Sequence, residues 1–176
     1  MAGIDKTKQF ISINICILTI SDTRNEKTDT SGKLLSDRVV SSGHKIYEKK
    51  IVKDEINLIT KQLKSWSKIK EVDVILTTGG TGLTGRDSTP EAINIIADKK
   101  IEGFGELFRQ LSYKKIGTST IQSRALAATV NGKYIFAIPG SSSACKDAWD
   151  QILRFQLDNR FRPCNFVELI PRLSEK

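Results

Sequence analysis

The stretch Thr77 to Glu91, TTGGTGLTGRDSTPE, collects residue types that handle phosphate. Gly79, Gly80 and Gly82 permit backbone angles closed to residues with side chains, so bare amides can be pressed against an anion. Ser88 and Glu91 have the spacing of a capping box and Pro90 falls in a first helical turn. A helix is therefore predicted to begin here, its amide donors and positive dipole end facing the loop, which makes a ready anion site. Asp87 is the exception, because a carboxylate repels phosphate unless it binds a cation or carries a proton. That points to magnesium or to acid–base work, and Asp54 supplies a second carboxylate that could share one ion. A second loop, Pro139-Gly140-Ser141-Ser142-Ser143, repeats the logic with glycine and hydroxyls ahead of a helix, although an ordinary helix cap explains it equally well.

These residues need a sheet to bring them to one edge. Ser12 to Ile20, SINICILTI, is rich in β-branched residues and reads as a strand buried on both faces, ending in the polar Ser21, Asp22 and Thr23. Leu34, Leu35 and Val39 mark a short helix ending at Gly43. Lys45 to Val52 reads as a second strand, and Asp54 is expected to cap an amphipathic helix running to Ser67 on Ile56, Ile59, Leu63 and Trp66. Val72 to Leu76 feeds the glycine loop as a third strand, and helices are expected over Ile93 to Ala97 and beyond Gly103. Asn131-Gly132 is a type I′ hairpin signal between Ala125–Val130 and Tyr134–Ile138, so one antiparallel hairpin joins an otherwise parallel sheet. In parallel sheets ligands gather at the carboxyl ends of strands, where Ser21, Asp22, Asp54, Asp87 and Gly140 would all lie. From Arg160 the chain is expected to run irregularly across the surface or a partner subunit.

The chain of 176 residues fits one domain, residues 1–176, with 1–11 and 167–176 as peripheral tails. No apolar run approaches membrane-spanning length, the first residues lack a signal-peptide core, and no membrane partner is expected. Cys16, Cys145 and Cys164 match neither zinc pairs nor a disulfide framework, which favours the cytoplasm with all three as structural residues. The net charge of +8 comes from scattered lysines without interleaved aromatics, so solvated faces are expected and nucleic acid is not. The single histidine, His44, reads as a turn residue.

The glycine loop lacks the Gly-Lys-Ser/Thr ending of a Walker A loop and the dinucleotide spacing after a first strand. No Gly-x-Ser-x-Gly elbow is present, which argues against serine–histidine hydrolysis. Taken together, TTGGTGLTGRDSTPEAI, GFGELFRQLS, GTSTIQSRALA and IFAIPGSSSACKDAW resemble the molybdenum cofactor biosynthesis protein B family, within the wider MoaB and Mog molybdopterin-binding group. Lys53 before Asp54, the Ser-Ser-Ser-Ala-Cys run and Arg-Pro-Cys-Asn-Phe look like the B branch. The resemblance implies a three-layer α/β/α sandwich with a mixed, mainly parallel sheet, assembled as a homotrimer or homohexamer. It further implies magnesium-dependent adenylylation of molybdopterin by ATP, or else non-catalytic binding or scaffolding, alongside other proteins of the pathway. Carried over, Asp54 and Asp87 become catalytic and magnesium-binding. Ser21, Asp22, Gly79, Gly80, Thr81, Gly82, Arg86, Gly140, Ser141 and Ser142 become substrate-binding.

Overall fold

The computed structural model describes residues 2–175. Its six-stranded sheet is built from β2 (Asn14–Ile20), β3 (Lys45–Val52), β4 (Val74–Thr78), β5 (Lys99–Lys100), β6 (Leu126–Val130) and β7 (Lys133–Ile138), in the order β3-β2-β4-β7-β6-β5. Strands β3, β2, β4 and β7 run parallel, and β6 lies antiparallel to both of its neighbours. β1 (Gly3–Ile4) pairs antiparallel with β8 (Phe161–Arg162), tying the two terminal regions together.

Strand alternation divides the core between the two faces of the sheet. Ile15, Ile17, Val74, Leu76, Tyr134, Phe136 and Ile138 point to one face, where they meet α1 (Thr30–Ser41), α4 (Glu102–Ile116) and α5 (Ser142–Ala148) through Leu35, Val39, Phe104, Phe108 and Ala148. Cys16, Leu18, Ile20, Ile75, Ile135 and Ala137 point to the other, where α2 (Ile56–Ser67) and α3 (Thr89–Asn94) bring Ile59, Leu63, Trp66, Ala92 and Ile93. The result is the expected three-layer α/β/α sandwich. Continuous with α5, a π-helical segment Trp149–Leu153 and α6 (Arg154–Gln156) complete one long helical element.

Asn131 and Gly132 take φ values of 49° and 71°, the left-handed pair a type I′ turn requires, and the hairpin forms as read. Four expectations are corrected. Helix α2 starts at Ile56, not Asp54; its N-cap is Glu55, with no side-chain cap bond, because the Asp54 carboxylate is drawn away to Ser88. Ser88 and Glu91 form no capping box, since Ser88 Oγ donates to Asp54 and Glu91 pairs with Arg124. His44 is no plain turn residue: it is buried, its Nδ1 accepts the Ile13 amide, and its ring packs on Phe10 and Trp149. The cysteines are free, Cys16 and Cys145 buried and Cys164 exposed. The C-terminal segment is more ordered than an irregular tail, with β8, a 3₁₀ turn at Val167–Arg172, Val167 in the core and Phe166 against Tyr134 and Phe136. No helix of the described residues is long and apolar enough to cross a membrane.

Candidate active site

The carboxyl ends of β2, β4 and β7 meet in a junction made of bare backbone. Gly79 leaves β4 at φ 107° and donates its amide to Ile138 O at 3.0 Å. A Cβ on Gly79 would stand 2.1 Å from the Ile20 carbonyl oxygen, and one on Gly140 would stand 3.2 Å from Gly79 Cα. Gly79 therefore excludes a side chain, while at Gly140 one would require the Gly79 backbone to give by a few tenths of an ångström. The two glycine loops read separately from the sequence touch here.

Beyond the junction, Gly80 has φ 62°, and a Cβ there would lie 2.5 Å from Asp54 Oδ2. The Thr89 hydroxyl donates to Gly79 O at 2.8 Å and the Thr89 amide to Gly80 O at 3.0 Å, so the start of α3 is stitched to the loop. Thr81 is buried and its carbonyl accepts the Arg124 amide. The amides of Gly80 and Thr81 donate to no protein group among the described residues, which leaves them available to a ligand.

Asp54, nearly buried, accepts from the Ser88 amide at 3.0 Å and the Ser88 hydroxyl at 2.6 Å through Oδ1. Oδ2 faces Gly80. Asp87 stands against Gly82, where a Cβ would be 2.7 Å from its Oδ2, and that oxygen accepts the Thr84 amide and hydroxyl at 2.9 and 2.6 Å. Burial pushes the Asp87 carboxyl up, but the Thr84 and Gly82 bonds and the charge of Arg124 outweigh it and hold it below the usual carboxylate range. Asp87 is thus ionised at neutral pH. Asp22 forks with Arg86, Nε to Oδ2 at 3.0 Å and Nη2 to Oδ1 at 2.7 Å, and also accepts the Asp54 amide. The Arg86 bond, set against slight desolvation, holds its carboxyl low as well.

Ser21 Oγ accepts from the Thr23 and Arg24 amides, each at 3.2 Å, and keeps its own O–H to donate. Ser141 is the N-cap of α5, accepting the Ala144 amide at 3.2 Å, so the ordinary cap explains its acceptor side while its proton stays free for a ligand. Ser142 Oγ instead donates to Thr30 Oγ1 at 3.2 Å. Among the described residues no three His, Cys, Asp or Glu side chains cluster as a metal cage.

The chain that carries these carboxylates and glycine loops has relatives. A family model described as a probable molybdopterin binding domain matches residues 16–159. The chain is 50% identical over 158 residues to molybdenum cofactor biosynthesis protein B of Escherichia coli (strain K12), covering 90% of this chain and 93% of that protein. The chain belongs to the molybdenum cofactor biosynthesis protein B family. A crystal structure of molybdenum cofactor biosynthesis protein B superposes with a TM-score of 0.86 at 38% identity, covering 96% of this chain and all of the other. The tungsten cofactor synthesizing protein MoaB from Pyrococcus furiosus superposes with a TM-score of 0.72 at 34% identity, covering 81% and 91%. Membership in the protein B family assigns the chain a part in molybdenum cofactor biosynthesis.

Four charged residues that sequence reading left out brace these loops. Arg124 donates from Nε to Gly82 O at 2.7 Å and from Nη2 to Asp87 O at 2.6 Å, while Nη1 pairs with Glu91. It grips the glycine loop from behind. On the other side, Asp29 is fully buried, caps α1 through the Gly32 amide at 2.9 Å, and accepts from Thr19 Oγ1 at 2.9 Å and Lys49 Nζ at 2.8 Å. Burial pushes its carboxyl up, yet Lys49, the Gly32 amide and the Thr19 hydroxyl together hold it low. Arg24 stands 3.8 Å from Asp29 and reaches Gly140 O. No local signal marks them: Arg24 and Asp29 lie between β2 and α1, Lys49 within β3 and Arg124 just before β6.

Proposed function

We propose that the protein is a molybdopterin adenylyltransferase using ATP and magnesium. The observation that carries the reading is that Asp54 and Asp87 both lie against the glycine loop, at Gly80 and Gly82, beside amides with no protein acceptor. In the reaction a phosphate oxygen of molybdopterin forms a bond to the α-phosphorus of ATP as the bond to the bridging oxygen breaks and pyrophosphate leaves. Such chemistry asks a protein for positioning and charge neutralisation more than for a nucleophile. The Gly80 and Thr81 amides suit phosphate oxygens, and the hydroxyls of Ser21 and Ser141, each with a proton to donate, suit the substrate's polar edge.

The donor set fits magnesium, which binds one or two carboxylates and completes its shell with water and substrate phosphates instead of a protein cage. Asp54, through the Oδ2 that bonds to no donor among the described residues, and ionised Asp87 would hold it. The ion's contribution when bound is to offset phosphate charge. Arg86, forked onto Asp22, keeps Nη1 for a ligand. The family reading also carries a homotrimer or homohexamer and other proteins of the pathway as partners.

The test mixes purified protein with ATP, magnesium and molybdopterin and measures adenylylated product and pyrophosphate. Asp87→Asn keeps an acceptor for Thr84 but removes the charge, so turnover is expected to fall about 100-fold with pterin affinity little changed. Equal loss of both would sink the catalytic role of Asp87. A second reading, a non-catalytic molybdopterin binder or scaffold, is favoured by the way Asp22 and one Asp87 oxygen are already spent on protein partners. Tight pterin binding with no product at saturating ATP and magnesium would select it.

A further inference from the structure

The loop between β2 and α1 carries Arg24, whose amide is fixed by Ser21 Oγ. Its guanidinium spans two elements, donating from Nη1 to Ser31 Oγ at 2.6 Å and from Nη2 to Gly140 O at 3.0 Å. Ser31 and Asp29 belong to the start of α1, Gly140 to the loop after β7. No other side chain donates to Gly140 O among the described residues, so that carbonyl depends on Arg24. On its far side Gly140 abuts Gly79 so closely that a methyl group would press on the Gly79 backbone. Gly140 is therefore held between a guanidinium and the glycine loop.

The guanidinium is itself held by a charge relay reaching the sheet edge. Asp29, whose side chain is wholly buried, lies 3.8 Å from Arg24 and 2.8 Å from Lys49 of edge strand β3. A buried carboxylate is costly without partners, and Asp29 has five donors around it, Lys49, Thr19, the Gly32 amide, the Ser31 hydroxyl and the nearby Arg24. A half-open cleft of about 190 Å³, lined in part by Thr19, Ser21, Arg24, Ser31, Thr78 and Gly140, lies beside the junction. Packing alone thus does not fill the space beside Gly140.

We propose that Arg24, anchored by Asp29 and through it by Lys49, is a positioning residue that fixes the Gly140 loop against the glycine loop and so sets the spacing of the two substrate walls. The role rests on the site assigned above, but its structural content does not require the reaction to occur. Planarity matters, because one guanidinium reaches two acceptors on different elements at once, which a lysine ammonium on a longer stem does with poor geometry.

Hydrogen–deuterium exchange on the full chain decides it, comparing wild type with Arg24→Gln, Arg24→Lys and Ser31→Ala. In Arg24→Gln, peptides covering residues 77–82 and 138–146 are expected to exchange about tenfold faster or more, the ratio for losing one charge-assisted hydrogen bond. Peptides from α4 and β6 should hold their wild-type rates. Arg24→Lys is expected to resemble Arg24→Gln, and Ser31→Ala, which removes one of the two acceptors but leaves the Gly140 bond in place, to lie between wild type and Arg24→Gln. Unchanged exchange at residues 138–146, acceleration spread evenly over the chain, or full rescue by Arg24→Lys would each overturn the role. In the adenylylation assay Arg24→Gln should lower kcat/KM for molybdopterin about tenfold while KM for ATP moves less. A wild type that makes no product removes the transferase reading and leaves the exchange result to decide this one.

Discussion

His44 is 5% exposed, its Nδ1 accepts the Ile13 amide at 3.4 Å, and Phe10 and Trp149 pack on its ring. Burial lowers its pKa from 6.5 to about 4, against the opposing pull of Asp158. The native state then binds fewer protons than the unfolded chain between those values, so stability rises with pH across that window and is lost on acidification through it. The expected loss from pH 7 to pH 4 is on the order of 2–3 kcal/mol, read by urea denaturation at each pH. His44→Asn, which keeps an acceptor near Nδ1 but does not titrate, should flatten that slope; an unchanged slope would assign it elsewhere. His44 was legible as a residue next to a turn glycine, but its burial was not. The reason is that Phe10 and Trp149 reach it from segments far apart in the chain. Asp29, Arg24 and Lys49 escaped for the same reason: each looks like a solvated charge until the fold brings the three together.

The elements that carry the site were readable because each has its own local signal. Strands β2, β4 and β7 are apolar runs, the hairpin has its Asn-Gly pair, and both glycine loops follow a strand. What local signals could not give was the use made of the polar residues at element ends. Ser88 and Asp54 each looked like the cap of its own helix, yet they satisfy each other across the gap between α2 and α3. The strand–loop–helix unit of β4 and α3 makes a sharp prediction. Gly79→Ala adds a methyl group 2.1 Å from the Ile20 carbonyl oxygen at a φ of 107°, which no rotamer relieves. A loss of about 3 kcal/mol or more is expected in chemical denaturation, together with loss of pterin binding. Gly85→Ala, with nothing within 4 Å, should cost little by comparison. Similar losses at both glycines would contradict the wedge.

For the molecule as a whole, several basic side chains are paired with acids, Lys49 with Asp29, Arg86 with Asp22, Arg124 with Glu91 and Arg160 with Asp158, so the net charge of +8 resides on the remaining side chains. The surface also carries apolar side chains that no described residue covers, Tyr113 at 58%, Ile116 at 55% and Ile121 at 81% exposed along one stretch of α4 and the turn after it. An uncovered stretch of this kind suits the homo-oligomer proposed above. Sedimentation velocity at micromolar concentration is expected to give the mass of three or six chains, and Ile121→Asp to shift it toward one. A wild type that sediments as a 19.6 kDa particle would remove the assembly from the proposal.

The close packing of Gly79, Gly140 and the Ile20 carbonyl also constrains how this protein can change over generations. At Gly79, where strand ends meet through bare backbone, a new side chain cannot alter the floor of the site without unseating a strand. Novelty in what the site accepts must then come from the exposed tip, Leu83 to Arg86, where Gly85 has open space around it. A library randomised at those four positions should yield many folded variants with altered preference, and one randomised at the three glycine-loop and junction positions Gly79, Gly80 and Gly140 should yield few that fold at all.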